Sequence, residues 1–287
     1  MSAHVSELFI YPVKSCRGVS LGEAELGRWG FLHDREFLVT DESYNFLTQR
    51  NAQELATVEI SVEGEWLLLK RANHGELRVP LRAPSVADNA RSPVQVTIFR
   101  DQVLADDAGG EAAEWFSAVL QRRCRLVRIG PSYSRKVPPT EIAPAHRAAL
   151  APDIPFTDAF PILLTAQESL ADLNTRLPTP IPMSRFRPNI IVRGAPAYAE
   201  NDWDHLAIGG INFTGGAACL RCVITTTDQQ TGQRDGPEPL RTLATYRRPT
   251  NGSGVMFGQY LVHHANGRLR VGDALTIQSN ALVPNET

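Results

Sequence analysis

The stretch Thr57-Val-Glu-Ile-Ser-Val-Glu63-Gly64-Glu65-Trp-Leu-Leu-Leu69 decides the fold class of this chain. From Thr57 to Glu63 the side chains alternate between polar and apolar, which is the period of a strand with one buried face. The pair Glu63-Gly64 stands where a hairpin turn would return the chain into the apolar run that ends at Leu69. The stretch therefore predicts an antiparallel β-hairpin in a β-rich first half.

Other short segments with β character surround this hairpin in the first half. The predicted strands cover residues 7–11, 36–40, 57–62, 65–70 and 94–99. A helix is predicted over 110–122 because its apolar residues recur on one face. These residues are Ala112, Ala113, Trp115, Phe116, Val119 and Leu120. Between 131 and 155 several prolines exclude a regular strand or a long helix, so this segment is interpreted as the connection between the two halves.

The second half is predicted to mix a helix with short strands. A strand near 162–164 precedes Thr165-Ala-Gln-Glu168, which has the form of a capping box, and a helix that carries Leu170, Leu173 and Leu177. Further predicted strands cover 190–193, both sides of a turn at Gly209-Gly210, 259–263, 269–271 and 275–277. The pattern predicts a β-rich α+β architecture with a first domain at 1–125 and a second at 126–287.

Composition limits the functional class and the compartment. The chain has 287 residues, 43% of them hydrophobic, and Lys+Arg 29 against Asp+Glu 31 gives a net charge of -2. No global field would attract nucleic acid or an anionic membrane, and no apolar run of about 18 residues predicts a membrane anchor. The N-terminus lacks the pattern of a secretory signal, and four cysteines without a dense framework indicate free thiols. We expect a cytoplasmic protein.

The pair Cys219-Leu-Arg-Cys222 carries the strongest chemical signal. Cys222 leads into a β-branched run over 223–227, which predicts a strand, and Arg221 beside the pair favours the thiolate. A structural zinc site needs four ligands, and a dithiol oxidoreductase places its pair at the start of a helix. Cys16 and Cys124 are isolated in the sequence. Spacing alone therefore leaves buried structural, metal, redox and nucleophile roles open.

Several separated blocks resemble one family in the same order. They are Leu8-Phe-Ile-Tyr-Pro-Val-Lys-Ser-Cys-Arg-Gly18, His33-Asp-Arg-Glu-Phe-Leu-Val39, Arg187-Pro-Asn-Ile-Ile-Val192, Cys219-Leu-Arg-Cys222 with its Thr-rich tail, and Phe257-Gly-Gln-Tyr260. The chain resembles the two-part MOSC proteins over about 8–278, as in the mitochondrial amidoxime-reducing component and its bacterial relatives. The resemblance implies a MOSC N-terminal β-barrel-like domain followed by a MOSC β-barrel domain.

The same resemblance implies an activity and a cofactor. The expected enzyme is a molybdenum oxidoreductase with one pyranopterin (molybdopterin) cofactor, and it reduces small N-hydroxylated substrates such as amidoximes, hydroxylamines and N-hydroxylated bases. No nucleotide-binding glycine motif is present and no cysteine follows Cys222. Electrons are therefore expected from a separate ferredoxin, flavodoxin or cytochrome b5-like donor with its reductase. The alternatives are a sulfur carrier with a Cys222 persulfide, and a non-enzymatic molybdopterin-binding module.

Candidate site residues follow from chemistry and from the resemblance. A thiolate is a soft metal ligand, and guanidinium or ammonium groups suit phosphate. The cationic candidates are Lys14, Arg35, Arg50, Arg187 and Arg221. By resemblance, Cys222 and not Cys219 aligns with the cysteine that binds molybdenum. The resemblance also assigns to the cofactor Lys14, Arg35, Asp158, Arg187, Asn189, Arg221 and Tyr260.

The sequence departs from the animal relatives at two places near these candidates. Ala159 and Phe160 stand where those relatives have Thr and Ser, so two hydroxyl donors are missing, and Leu220 replaces a small hydroxyl residue.

Ordinary structural roles compete with each candidate when the residues are considered without the family. Lys14 resembles a solvated charge at the end of an edge strand, and Asn189 after a proline resembles a turn former. Tyr260 fits a core position, and Asp34 with Arg35 fits a surface ion pair of little energetic value. The neighbouring pair His263-His264 is interpreted as structural.

Overall fold

Strands dominate the architecture. The computed structural model describes residues 3–82, 93–147, 150, 152–250, 252 and 254–278. The strands are β1 His4–Ile10, β2 Val19–Leu21, β3 Glu23–Gly27, β4 Gly30–Phe31, β5 Phe37–Asp41, β6 Glu59–Glu63, β7 Trp66–Lys70, β8 Glu76–Pro80, β9 Val94–Ile98, β10 Asp101–Asp107, β11 Cys124–Arg128, β12 Ile162–Ala166, β13 Ile190–Arg193, β14 His205–Ile208, β15 Ile211–Leu220, β16 Met256–His263, β17 Gly267–Arg270 and β18 Leu275–Ile277.

Helices are few and short in the described chain. The α-helices are α1 Gly110–Leu120, α2 Gln167–Arg176 and α3 Leu240–Leu243. Short 3₁₀ helices occupy Gln53–Thr57, Pro139–Glu141, Met183–Arg185, Ala199–Asp202 and Val223–Thr226. None of the helices in these described parts is long and apolar enough to cross a membrane.

The hairpin predicted from the alternating stretch is confirmed. β6 and β7 pair antiparallel with Glu63 opposite Trp66, and Gly64 in the turn has a φ of 60°. β8 extends this small sheet beyond β7. The buried face of α1, which includes Phe116 and Val119, packs into the same core as β7 and β8. The predicted helix over 110–122 is therefore also confirmed, although it ends at Leu120.

The largest sheet joins the two ends of the chain. Its strand order is β18-β14-β15-β16-β12-β13-β1-β2. β1 pairs antiparallel with β13, and β12 lies parallel to β13 on the other side. β3 pairs with β17 in a separate sheet. The first strands of the chain thus lie on elements of the second half, which brings the end of β1 next to the candidate cysteine segment.

Two local predictions in the second half are wrong. α2 begins after Ala166 without a side-chain cap, because Glu168 accepts from the Gly194 N–H at 2.8 Å and Thr165 contacts Met183 Sδ at 3.4 Å. The β-branched run after Cys222 forms a 3₁₀ turn over Val223–Thr226 and not a strand. There Thr225 Oγ1 donates to the Cys222 carbonyl at 3.0 Å, a local hydroxyl bond that competes with strand pairing.

Candidate functional site

A cleft with a volume of about 100 Å³ opens where the loop after β1 meets the end of β15. The structure brings all the predicted site residues to this cleft. Those that line it are Lys14, Arg35, Asp158, Arg187, Asn189, Arg221, Cys222 and Tyr260. Arg50 reaches the same place through contacts with Asp158 and with Cys222. Residues that are far apart in sequence thus form one strongly polar pocket with a thiol.

Cys222 lies at the mouth of the cleft. The residue is partly buried, and Arg50 Nη2 donates to its Sγ at 3.3 Å. This contact places a positive charge next to a sulfur, the type of atom that binds soft metals. Leu220 and Val223, which are close to it in the chain, are 54% and 40% exposed. Cys222 is therefore accessible and next to a positive charge.

Cys219 has a different environment. It is 1% exposed, and Arg221 Nη1 donates to its Sγ. Burial raises the pKa of the Cys219 thiol, although the charge of Arg221 opposes the shift. The two sulfurs of the Cys-x-x-Cys pair are thus unequal, since only Cys222 is open to solvent. Among the residues that the structure describes, no group of three or more His, Cys, Asp and Glu side chains is placed to hold a metal ion.

Asp158 connects two of the cations across the cleft. Lys14 is 4% exposed, and its Nζ donates to the Phe156 carbonyl at 2.7 Å and pairs with Asp158. Arg50 Nη2 pairs with the other carboxylate oxygen at 3.1 Å. Burial lowers the pKa of Lys14 to about 8, although Asp158 opposes this shift. Lys14 is therefore not the solvated edge-strand charge of the ordinary interpretation.

The carboxyl group of Asp158 is held as an anion by these partners. Burial alone would raise its pKa, but the nearby charges of Lys14 and Arg50 outweigh this and keep the pKa well below its usual range. The mouth of the cleft therefore contains two cations that share one carboxylate.

Arg35, Asp34 and Asn189 form a buried polar cluster on the inner wall. Arg35 Nη1 donates to Asn189 Oδ1 at 2.9 Å and pairs with Asp34, while its Nη2 donates to the Arg187 carbonyl at 3.1 Å. Asn189 Nδ2 donates to the Phe9 carbonyl at 3.1 Å. Asp34 and Asn189 are both buried, so neither the surface ion pair nor the turn former describes them. Burial raises the pKa of Asp34, and Arg35 opposes the shift.

Arg187 and Arg35 enclose the ring of Tyr11. Their guanidinium carbons lie 4.2 and 4.3 Å from the ring centroid, which is cation–π geometry on an aromatic face. Arg187 Nη1 also donates to the Cys16 carbonyl at 2.7 Å. Burial lowers the pKa of Arg187 to about 10, so the group remains charged at neutral pH. Among the described residues no carboxylate pairs with Arg187, and the Tyr11 ring and the Cys16 carbonyl hold its guanidinium group at the cleft.

The backbone is strained at the same positions. Arg35 and Arg187 have φ values of 52° and 55°, and Ser15 next to Lys14 has a φ of 71°. Residues with side chains rarely adopt this left-handed region, and each instance costs about 1–3 kcal/mol. The Arg35 backbone is held there by bonds to Tyr11 and Phe156, each 2.9 Å long. Such strain is typical of functional sites, where a side chain must point in one direction.

Arg221 and Tyr260 also line the cleft. Arg221 Nη2 donates to the Phe186 carbonyl at 2.7 Å. The ring of Tyr260 stacks on Phe160, with ring centroids 5.0 Å apart and 20° between the planes. Phe160 packs closely on Gly216, where any side chain would collide with the ring. Phe160 therefore supports Tyr260 by stacking.

Sequence reasoning missed three residues of this region. Phe99, in the turn between β9 and β10, has a φ of 55°, and Lys14 Nζ and Arg50 Cζ lie 5.3 and 5.5 Å from its ring centroid. Gln49 and Gln229 are buried behind the cleft and bond to each other. Neither a motif nor a periodicity marks these residues, because their importance arises from contacts between distant segments.

This fold and this site define a two-part MOSC protein. The MOSC N-terminal beta barrel domain matches residues 2–123, and the MOSC domain matches residues 151–276. Mitochondrial amidoxime-reducing component 1 of Homo sapiens is 37% identical over 280 residues, which cover 94% of this chain and 81% of that protein. Mitochondrial amidoxime reducing component 2 of Bos taurus is 36% identical, with the same shares of each chain covered. The chain belongs to the MOSC family that includes these amidoxime-reducing components.

Proposed function

We propose that this chain is an oxidoreductase that reduces N-hydroxylated compounds, such as amidoximes, hydroxylamines and N-hydroxylated bases, with a molybdenum-pyranopterin cofactor. One observation carries the proposal: an accessible thiol, Cys222, lies at the mouth of a cleft lined by cationic side chains. The names of the relatives support reduction of amidoximes in particular. The predicted division into domains at 1–125 and 126–287 is part of the same proposal.

The donor set of the cleft fits such a cofactor. A pyranopterin has sulfur donors around its metal and an anionic phosphate, so it needs a soft ligand and cationic donors. Arg221 Nε and Arg50 Nη1 are buried and have no hydrogen-bond partner among the described residues. Cys222 would bind the metal. The side chains that would hold the phosphate and the pterin are Lys14, Arg35, Arg50, Asp158, Arg187, Asn189, Arg221 and Tyr260.

The cleft must change when this group binds. The side chains of Lys14 and Arg50 cross it in ion pairs with Asp158. We infer that anionic groups of the cofactor replace Asp158 as the partner of at least one of the two cations. This exchange keeps Lys14 and Arg50 paired with an anion, since a buried cation without a partner is costly.

The protein contributes position and access to the chemistry. When bound, the cofactor supplies two electrons to the N–O bond of the substrate, which with two protons yields the amine or amidine and water. Arg50 lies 3.3 Å from the Cys222 sulfur and balances the negative charge of a thiolate ligand. Leu220 lines the cleft and is 54% exposed, and the exposed ring of Phe99 lies next to Lys14 and Arg50, so apolar surface is available close to the site. Substrates with an apolar body next to the N-hydroxyl group suit this entrance.

A sulfur carrier with a Cys222 persulfide is the second candidate function, and the accessibility of Cys222 favours it. Elemental analysis of the purified protein for molybdenum, together with an assay for cyanide-releasable sulfur, separates the two. Stoichiometric molybdenum supports the reductase or a cofactor-binding module, whereas releasable sulfur without metal supports the carrier. Reduction of benzamidoxime then distinguishes an enzyme from a module that only binds the cofactor.

Electron supply gives a direct test of the enzyme. The purified chain is expected to reduce benzamidoxime with reduced viologen and to be silent with NADH or NADPH alone, because it has no glycine motif for a nicotinamide nucleotide. A ferredoxin, flavodoxin or cytochrome b5-like donor with its reductase should restore turnover. Benzamidine formation is measured by chromatography. Sustained turnover by the homogeneous chain with NADPH alone would contradict this prediction.

The pKa of Lys14 predicts a pH dependence of cofactor retention. Burial lowers this pKa to about 8, so about nine-tenths of the charge is present at pH 7, and roughly a tenth of it remains one unit above the pKa. Cofactor retained after dialysis should therefore fall as pH rises from 7 to 9. The Lys14→Arg variant keeps its charge over this range and should show a flatter profile. Equal slopes for both proteins would show that Lys14 does not hold the cofactor through its charge.

A further inference from the structure

Two buried glutamines form a reciprocal amide pair behind the cleft. Gln49 is 0% exposed and Gln229 is 6% exposed. Gln49 Nε2 donates to Gln229 Oε1 at 2.8 Å, and Gln229 Nε2 donates to Gln49 Oε1 at 2.9 Å. The remaining hydrogens of the amides go to the carbonyls of Ser15 at 2.7 Å and Thr227 at 3.0 Å. Both amides use both of their N–H donors, so each has only one satisfactory orientation.

The pair connects the segments that carry Lys14, Arg50 and Cys222. Gln49 immediately precedes Arg50, and it binds the backbone of Ser15, the residue after Lys14. Gln229 binds the backbone carbonyl of Thr227, directly after the 3₁₀ turn that Cys222 begins.

Arg187 is attached to the same pair. Its Nη1 donates to Gln229 Oε1 at 3.3 Å. Arg234 Nε donates to Thr227 Oγ1 at 3.0 Å, and its Nη2 donates to the Gln49 carbonyl, which closes the network on the outer side. A displacement of either amide would therefore move Arg50, Arg187 and the Cys222 turn together.

We propose that Gln49 and Gln229 are positioning residues that hold Arg50 against Cys222 and keep Arg187 and Lys14 aligned around the cofactor. The inference rests on the function proposed above. The two side chains are neutral, so they fix geometry without adding charge to a site that already contains several cations. A reaction centre that is misplaced by about 1 Å loses about 100-fold in rate, which makes such a connection functionally important.

The experiment compares Gln229→Ala with Gln230→Ala, the adjacent glutamine, whose side chain is exposed. The Gln49→Ala and double variants are measured in parallel, and Gln229→Glu is a second, isosteric variant in case the alanine variant does not fold. Gln229→Glu keeps the acceptor for Arg187 but lacks the N–H donors to Thr227 and Gln49. The activity is turnover of benzamidoxime with reduced viologen, expressed per bound molybdenum.

Positioning predicts a specific pattern of kinetic constants. Gln229→Ala and Gln49→Ala should each lower kcat per molybdenum about tenfold or more, with KM changed by less than about twofold. The double variant should be no worse than the single variants, because the two amides act as one unit. Gln230→Ala should behave as the parent. If activity falls only in proportion to molybdenum content, with kcat per molybdenum unchanged in the alanine and glutamate variants, the pair only supports folding and the inference is overturned.

A second readout does not depend on the reductase. In the cofactor-free protein, hydrogen exchange measured by mass spectrometry should become faster in Gln229→Ala in both peptides, the one that contains Arg50 and the one that contains Cys222. The Gln230→Ala variant should show neither change. If both peptides respond but no variant or parent reduces benzamidoxime, the proposed function fails while the connection itself stands. Unchanged exchange in the Arg50 peptide would overturn the connection.

Discussion

Cys222→Ser is expected to fold as the parent protein does and to lose about 100-fold or more in amidoxime reduction. Residues that only orient a metal ligand already contribute about 10–100-fold to metal affinity or activity. Loss of the ligand itself should therefore reduce activity at least as much. A neutral hydroxyl is a poor substitute for a thiolate at a soft metal. Cys222 is only partly buried, so the substitution should leave the stability of the fold nearly unchanged. Benzamidoxime reduction and molybdenum content are measured together with the thermal midpoint.

Cys219→Ser is the matched control for this prediction. Cys219 is 1% exposed, and its sulfur accepts a hydrogen bond from Arg221 that a serine oxygen can also accept. Most of the activity should therefore remain, with at most a modest loss of stability from the polar atom in a buried position. Equal loss of activity in both variants would indicate a dithiol or a metal site that the two cysteines share.

Local features of the fold were predictable because neighbouring residues determine them. The alternation that ends at Glu63 and the turn at Gly64 specify the hairpin, and the apolar face of α1 specifies its helix. The order of the strands could not be predicted in this way. β1 lies on β13, and the register of Leu8 opposite Ile190 depends on packing between the two ends of the chain.

The local predictions that are wrong concern segments where tertiary contacts outweigh the preference of the local sequence. Thr165 and Glu168 have the spacing of a capping box. In the structure, however, Thr165 contacts Met183 and Glu168 accepts from the Gly194 N–H. The β-branched run after Cys222 favours a strand by propensity, yet threonine hydroxyls bond back to the preceding carbonyls and stabilise a turn. Strand propensity depends on the surroundings of a segment, and this segment forms a turn beside the cleft.

The residues of the candidate site also divide into those that the sequence could predict and those that depend on tertiary contacts. Residues within recognisable blocks, such as Lys14, Arg187 and Cys222, could be selected from the sequence because the blocks resemble a known family. The ordinary alternatives for Lys14 and Asn189 could be rejected only from burial and hydrogen bonds. Gln49 and Gln229 are 180 residues apart, so no spacing in a single sequence could have joined them.

Arg187→Ala is expected to weaken the affinity for the cofactor by roughly one to two decades. The occupancy by pterin and molybdenum should fall accordingly. A charge-assisted bond contributes about 1.5–3 kcal/mol, and Arg187 stays charged at neutral pH because its pKa, although lowered by burial, is about 10. Lys14→Ala should have a similar effect, since that ammonium is buried at the cleft. Arg187→Lys should recover only part of the affinity, because an ammonium keeps the charge but loses the planar fork.

The control for this prediction is an arginine of the surface. The side chain of Arg123 is 84% exposed and pairs with Glu42, so Arg123→Ala should keep full occupancy. Cofactor is quantified as molybdenum and as the fluorescent oxidised pterin, and the thermal midpoint of each cofactor-free variant separates lost affinity from lost folding. Arg187 also stacks on Tyr11, so a lower midpoint alone would report only this packing. Full occupancy in both Arg187→Ala and Lys14→Ala would show that these two cations stabilise the fold only and that other residues hold the cofactor.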